Sequence, residues 1–317
     1  MITSKPNVPP PSLRTIESDR SGWVLLAIII FILGGTAFLF AQEPDHDSNP
    51  SSYQITFLPK LGGTNSGATS NNERGWVSGY STLPTDQFRH ATFWRNRNVV
   101  TDLGTLGGPN SASPFSGLND RGVVVGISQT STPETRGELW SSFFFYGGPN
   151  RSGFINLGFA WQNNRMRPLP TLGTNNNGFA ASVNNRNIAV GWAENNCVDA
   201  QCVPPQVLQF RPVSWDLDHN DRIREYPLLP GDTSGSAVAI NDAGRAAGIS
   251  GICDQAVGRY TAKHAVIWDG NRVTDIGNLG AQFWNTPTCI NDRGDVAGFA
   301  GDPAYPEGDY LHAFIWT

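Results

Sequence analysis

Charge is scarce in this chain. Of its 317 residues only 15% are Asp, Glu, Lys or Arg, and they sum to a net charge of −5. The basic residues are scattered and form no stripe, so nothing follows a phosphate backbone and nucleic acid is excluded as a partner. Catalytic signatures are missing too: there is no G-x-S-x-G elbow, no H-E-x-x-H pair and no Walker-type phosphate loop. The four cysteines include no C-x-x-C pair and have no nearby His cluster, which argues against zinc. Beyond the N-terminal region no segment keeps a helical period, which leaves an all-β chain.

What the sequence does have is repetition. An Asn followed seven residues later by a Gly recurs as Asn72/Gly79, Asn119/Gly126, Asn184/Gly191, Asn241/Gly248 and Asn291/Gly298. Between the two anchors lies a tetrad: NERG, NDRG, NNRN, NDAG and NDRG. A second anchor is a Trp that ends a short apolar run, at Trp94, Trp161, Trp215, Trp268 and Trp316. The spacing from each Trp to the next Asn is nearly constant, whereas the spacing from Asn to Trp varies widely. Insertions therefore fall in one half of the unit.

Each tetrad reads as a polar turn between two short apolar strands. Its fourth position suits a left-handed residue after a type I turn, where Gly is free of strain and Asn187 is the best non-Gly substitute. HAVIWDGNRVTDIG reads as a second hairpin, so one unit holds four strands. Units of this size with four strands match a propeller blade in preference to a solenoid or sandwich. The repeat domain, residues 53–317, opens with ITFLPKLGG, a fourth-strand stretch, and ends on HAFIWT, a third strand. The expectation is a β-propeller of about five four-stranded blades, closed by pairing residues 53–63 with the C-terminal strand.

Residues 1–22 form a polar tail, on the cytoplasmic side by its modest basic excess. Trp23 to Ala41 carries no charge over a length just able to span a bilayer as a helix. It reads equally as an uncleaved membrane anchor or a cleaved signal peptide, and either way the remainder is exported. Residues 42–52 read as a linker.

The motif string H-A-F-x-W, D-L-G-T-L-G-G and I-N-D-x-G-x-V-V-G resembles the HAF family of extracellular repeat proteins. The resemblance covers residues 53–317 and is strongest over His90 to Ser128, Ile240 to Ile276 and Ile290 to Trp316. The stretch Phe159 to Trp192 departs from it, lacking both the His and the turn Gly. The resemblance implies a secreted or surface-exposed domain and carries over no catalytic residue.

Four cysteines in an exported chain favour disulfides, with three connectivities open. The local pair Cys197–Cys202 is expected first, leaving Cys253 with Cys289. Asp216, Asp218 and Asn220 stand at alternate positions of a hairpin tip, as hard oxygen ligands do in a calcium loop. However, the sixth position is Asp221 rather than Gly and the twelfth is Pro227, so a solvated turn is the competing reading. His90, His264 and His312 share one repeat position and read as blade features. Aromatics in the non-repeated stretches, Trp140, Tyr146, Trp192 and Trp284, are the candidate anchors for a protein or glycan ligand, against simple packing.

The function expected is a non-catalytic extracytoplasmic binding or scaffolding module. The alternative is a carbohydrate-active hydrolase on a five-bladed propeller, which would need two or three converging carboxylates. Glu134, Glu138, Glu194, Asp199, Asp232 and Asp254 are available outside the repeats, and nothing in the sequence groups them.

Overall fold

The computed structural model describes residues 55–317 except 139–144, 147–152, 255, 257 and 307–309. The tail, the Trp23–Ala41 segment and the linker lie outside the described residues. Blade 1 holds β1 (Ser66–Asn71), β2 (Val77–Thr82), β3 (Arg89–Asn96) and β4 (Val99–Asp102). Blade 2 holds β5 (Gly107–Ala112), β6 (Val124–Pro133), β7 (Phe154–Gln162) and β8 (Arg165–Pro168). Blade 3 follows with β9 (Gly178–Val183), β10 (Ile188–Val198), β11 (Leu208–Asp216) and β12 (Arg222–Glu225). Blade 4 consists of β13 (Ser234–Ile240), β14 (Ala246–Gly251), β15 (His264–Asp269) and β16 (Arg272–Gly277). Blade 5 has β17 (Thr286–Ile290), β18 (Val296–Gly301) and β19 (Leu311–Trp316). Every sheet is an antiparallel meander in chain order, and the five together make the expected propeller.

The anchors explain themselves physically. The fourth tetrad residue is left-handed throughout, at φ 70° for Gly75, 79° for Gly122, 58° for Asn187, 87° for Gly244 and 95° for Gly294. Each anchor Asn caps its own turn: Asn184 Oδ1, for example, accepts from the Arg186 and Ile188 amides at 3.1 and 3.0 Å. Its Nδ2 then donates to the backbone carbonyl of the next anchor Asn. Such bonds run from Asn72 to Asn119 (2.9 Å), Asn119 to Asn184 (2.9 Å), Asn184 to Asn241 (3.0 Å) and Asn241 to Asn291 (3.0 Å). Four side-chain amides thus staple five blades in series. The Gly seven residues on stands opposite the inner strand, which bulges there. A Cβ on Gly191 would overlap the Phe179 carbonyl oxygen, and Gly79, Gly126, Gly248 and Gly298 face equivalent carbonyls.

The outer half is fixed by the Trp and His anchors. Trp94, Trp161, Trp215 and Trp268 are buried, the last three in apolar clusters formed between adjacent blades. The indole N–H of Trp215 donates to the Pro170 carbonyl and that of Trp268 to the Pro227 carbonyl, at 2.8 and 2.7 Å. Each therefore reaches the end of the preceding blade's fourth strand. His90 and His264 bond at 2.9 Å to Asp102 and Asp275 on their own fourth strands. In blade 5, which lacks that strand, His312 turns to Asp302 instead.

No closing strand is formed among the described residues. Residues 55–60 adopt no strand, and β19 has no neighbour beyond β18 among the described residues. Ile315 is 72% exposed and Phe57 93%. Asn291 Nδ2 bonds to Asp295 within its own turn, and no staple joins Asn291 to Asn72. Pro59 nevertheless accepts the Trp94 indole N–H at 2.8 Å, as Pro170 and Pro227 accept theirs. The segment ending at Pro59 holds the place of a preceding blade's fourth strand while its pairing with β19 is unmade.

Two substitutions test this account. Gly191→Ala is expected to destabilise by about 1–3 kcal/mol through overpacking against the inner strand. Asn184→Ala removes a cap and a staple and should exceed Asn291→Ala, which removes only a cap, by about 1 kcal/mol in urea denaturation.

Candidate functional site

Alternate connections in a meander emerge at opposite ends. The tetrads and the strand-three to strand-four hairpins occupy one end. All the insertions (130–153, 193–207 and 251–263) join strands two and three and so occupy the other. The molecule has a stapled face and a loop face, joined by a central channel.

The channel is lined by the inner strands and their continuations. A cavity of about 450 Å³ is bordered by uncharged residues, among them Ser70, Phe115, Ser116, Ser182, Thr288 and Cys289. A second cavity of about 330 Å³ opens at the stapled face. Both are bordered by Asn71, Leu118, Val183, Ile240 and Ile290, so a largely apolar collar separates them. Glu73, Asp120, Asp242 and Asp292 line the outer mouth. They serve the staples as well: Asp120 Oδ1 accepts from the Glu73 amide at 2.9 Å and Asp292 Oδ1 from the Asp242 amide at 3.1 Å. Sequence reasoning passed over Phe115. Its signal was the SASPFSGLN stretch, which is longer than the corresponding stretch of the other repeats.

On the loop face the structure corrects the disulfide. Cys202 is bonded to Cys253, with Cα atoms 4.5 Å apart, while Cys197 and Cys289 are free and exposed. The expected Cys197–Cys202 pair fails because the 199–202 turn carries the two side chains to different surroundings. Cys202 is packed with Phe210, Cys253 and Ala256, and the Val203 amide donates to the Cys253 carbonyl at 2.8 Å. Cys197 stays at the exposed end of β10. The bridge ties the blade 3 insertion to the blade 4 insertion.

Next to it lies a group that the sequence did not reveal. Glu134, Glu138 and Glu194 have side chains only 1–2% exposed, gathered around one cation, Arg136. Glu138 Oε2 accepts from Arg136 Nε at 2.9 Å, and its Oε1 accepts from the Val207 and Leu208 amides. Gln206 Nε2 donates to both Glu138 and Glu194, at 3.1 and 3.0 Å. Glu194 also accepts from the Asn177 amide at 2.6 Å. Burial, reinforced by the negative charge of Glu138, pushes the Glu194 carboxyl up to about 7. The three carboxylates converge around Arg136 inside the loop face, almost fully buried.

The other sequence candidates fall out as follows. Trp192 is fully buried against Phe179 and Phe210, and Tyr146 is 1% exposed, so neither offers a ring face to a ligand. Trp284 is half-buried, at φ 57°, with its ring over Gly258 and Phe299 nearby. Trp140 lies outside the described residues. Asp216 accepts from His219, while Asp218 accepts from Asn187 at 2.8 Å and lies 3.4 Å from Arg121. Asn220 sits in the left-handed region of the same tip. No group of three His, Cys, Asp or Glu is placed to hold a metal among the described residues.

Fold and site together define a five-bladed β-propeller with an uncharged channel and a disulfide-locked loop face. The sequence matches no family model and no curated protein.

Two measurements follow. An unfolded Glu titrates near 4.5 and folded Glu194 near 7. Between those values the unfolded chain releases a proton that the folded chain keeps. Stability attributable to Glu194 should therefore fall as pH rises through this window and level off above it, over about 3 kcal/mol. The difference in urea stability between wild type and Glu194→Gln across the window measures it. Reduction of Cys202–Cys253 opens a loop of sequence separation 51. It is expected to lower stability by about 4 kcal/mol on the chain-entropy model, read as a fall in Tm under reducing conditions.

Proposed function

We propose that this chain is an exported, non-catalytic propeller that binds or scaffolds partners at the cell surface or in the periplasm, of the kind the HAF repeat family comprises. The observation that carries the reading is the Cys202–Cys253 bridge, which locks two insertions of the loop face and belongs to oxidising compartments. The charge-free Trp23–Ala41 segment would deliver the domain, as anchor or signal. Among the described residues no helix is long and apolar enough to cross a membrane. Residues 53–63 would complete blade 5 by pairing with β19; the Trp94–Pro59 bond supports this closure.

The hydrolase alternative draws on Glu138 and Glu194, whose near-complete burial disfavours it. The test uses the full chain expressed in bacteria with a permeabilised outer membrane. A membrane-impermeant maleimide should label Cys197 in these cells. Labelling only after rupture of the inner membrane would contradict export. The purified chain should release no nitrophenol from nitrophenyl glycosides, and release abolished by Glu138→Gln would establish the hydrolase instead.

A further inference from the structure

We infer that the central channel is a binding site for a neutral saccharide, seated on Phe115. The inference rests on the binding-module reading and gives it a location and a ligand class.

The channel cavity of about 450 Å³ lies within the range of small-molecule sites, roughly 300–1,000 Å³. Its lining contains no charged residue. Ser70, Ser116 and Ser182 stand in its wall, whereas the hydroxyls of Thr69 and Thr288 are taken by the Ser113 and Ala297 carbonyls. Serine hydroxyls on an open cavity wall can donate to and accept from a polar occupant. Phe115, in contrast, is 74% exposed, and no other blade puts an aromatic side chain in this cavity wall. A ring with one apolar face and a rim of hydroxyls satisfies both features, and that is the chemistry of a sugar. Free phosphate or a charged peptide satisfies neither.

The lining restricts the class further. It offers no cation to pair with a carboxylate or phosphate, so uronic acids and phosphorylated sugars are disfavoured.

The channel contains its own reporter. Cys289 is a free, exposed thiol in the cavity wall, and Cys197, the other free thiol, is remote on the loop face. The experiment measures iodoacetamide alkylation of both in the full-length protein by peptide mass spectrometry. The probes are D-glucose, D-galactose, D-mannose and N-acetyl-D-glucosamine, with D-glucuronate as the anionic comparison, and calorimetry is run on the same samples. At about ten times its Kd, one neutral sugar should slow Cys289 alkylation about tenfold by mass action and leave Cys197 unchanged. Phe115→Ala, at a solvent-exposed ring, should restore the unprotected rate without loss of fold. Glucuronate should not protect. The inference is overturned if no neutral sugar protects Cys289, if glucuronate protects equally, or if protection survives Phe115→Ala. Heat of sugar binding without protection of Cys289 would overturn the channel site while leaving the binding-module reading intact.

Discussion

The fold depends on one side-chain amide used twice. Each anchor Asn uses its oxygen on its own turn, and all but Asn291 use the nitrogen on the carbonyl of the neighbouring blade. Apolar contact between blades supplies most of the driving force but no direction, since burial is indifferent to small sliding. The amide supplies the direction. It fixes the height of one inner strand against the next, and with it the collar, the mouth and the channel. Because an amide is neutral, it can do this at buried positions without the desolvation that a charged group would suffer. The low charge content of the chain is consistent with a structure whose repeated polar links are amides.

The loop face is held together by other means. There the strands run past the reach of the staples, and a disulfide and a carboxylate group around Arg136 take over. Three carboxylates face one guanidinium in a buried site, and burial together with the charge of Glu138 raises the Glu194 carboxyl to about 7. The two faces differ accordingly: one rests on a repeated neutral bond, the other on a single covalent bond and a buried ionisable group.

What could be read from the sequence follows that division. Asn-to-Gly spacing, the Asn187 substitution and the shared His position were legible because each is repeated and each arises from contacts within a blade or with its immediate neighbour. Trp192 should have been legible as well. It follows Gly191 as Ile127 follows Gly126 and Ile249 follows Gly248, and all three are core positions of strand two. The disulfide and the carboxylate group were not legible, because each joins insertions from different blades and no repeat sets their mutual distance. Short-range spacing favoured Cys197–Cys202; packing across blades chose Cys253. The unmade pairing of β19 is a third case, since the alignment of the two ends showed complementarity without showing contact.

The acceptor of each staple is a main-chain carbonyl, and this has a consequence for how such a chain arises. A backbone carbonyl is the same in every blade, so a blade need not recognise which copy stands beside it. Duplicating one unit in the gene would bring its own amide and present its own carbonyl, and both new junctions would be satisfied at once. Ancestral growth by copying requires no matched pair of mutations under this scheme. The loops, which take no part in the staples, can diverge from one copy to the next.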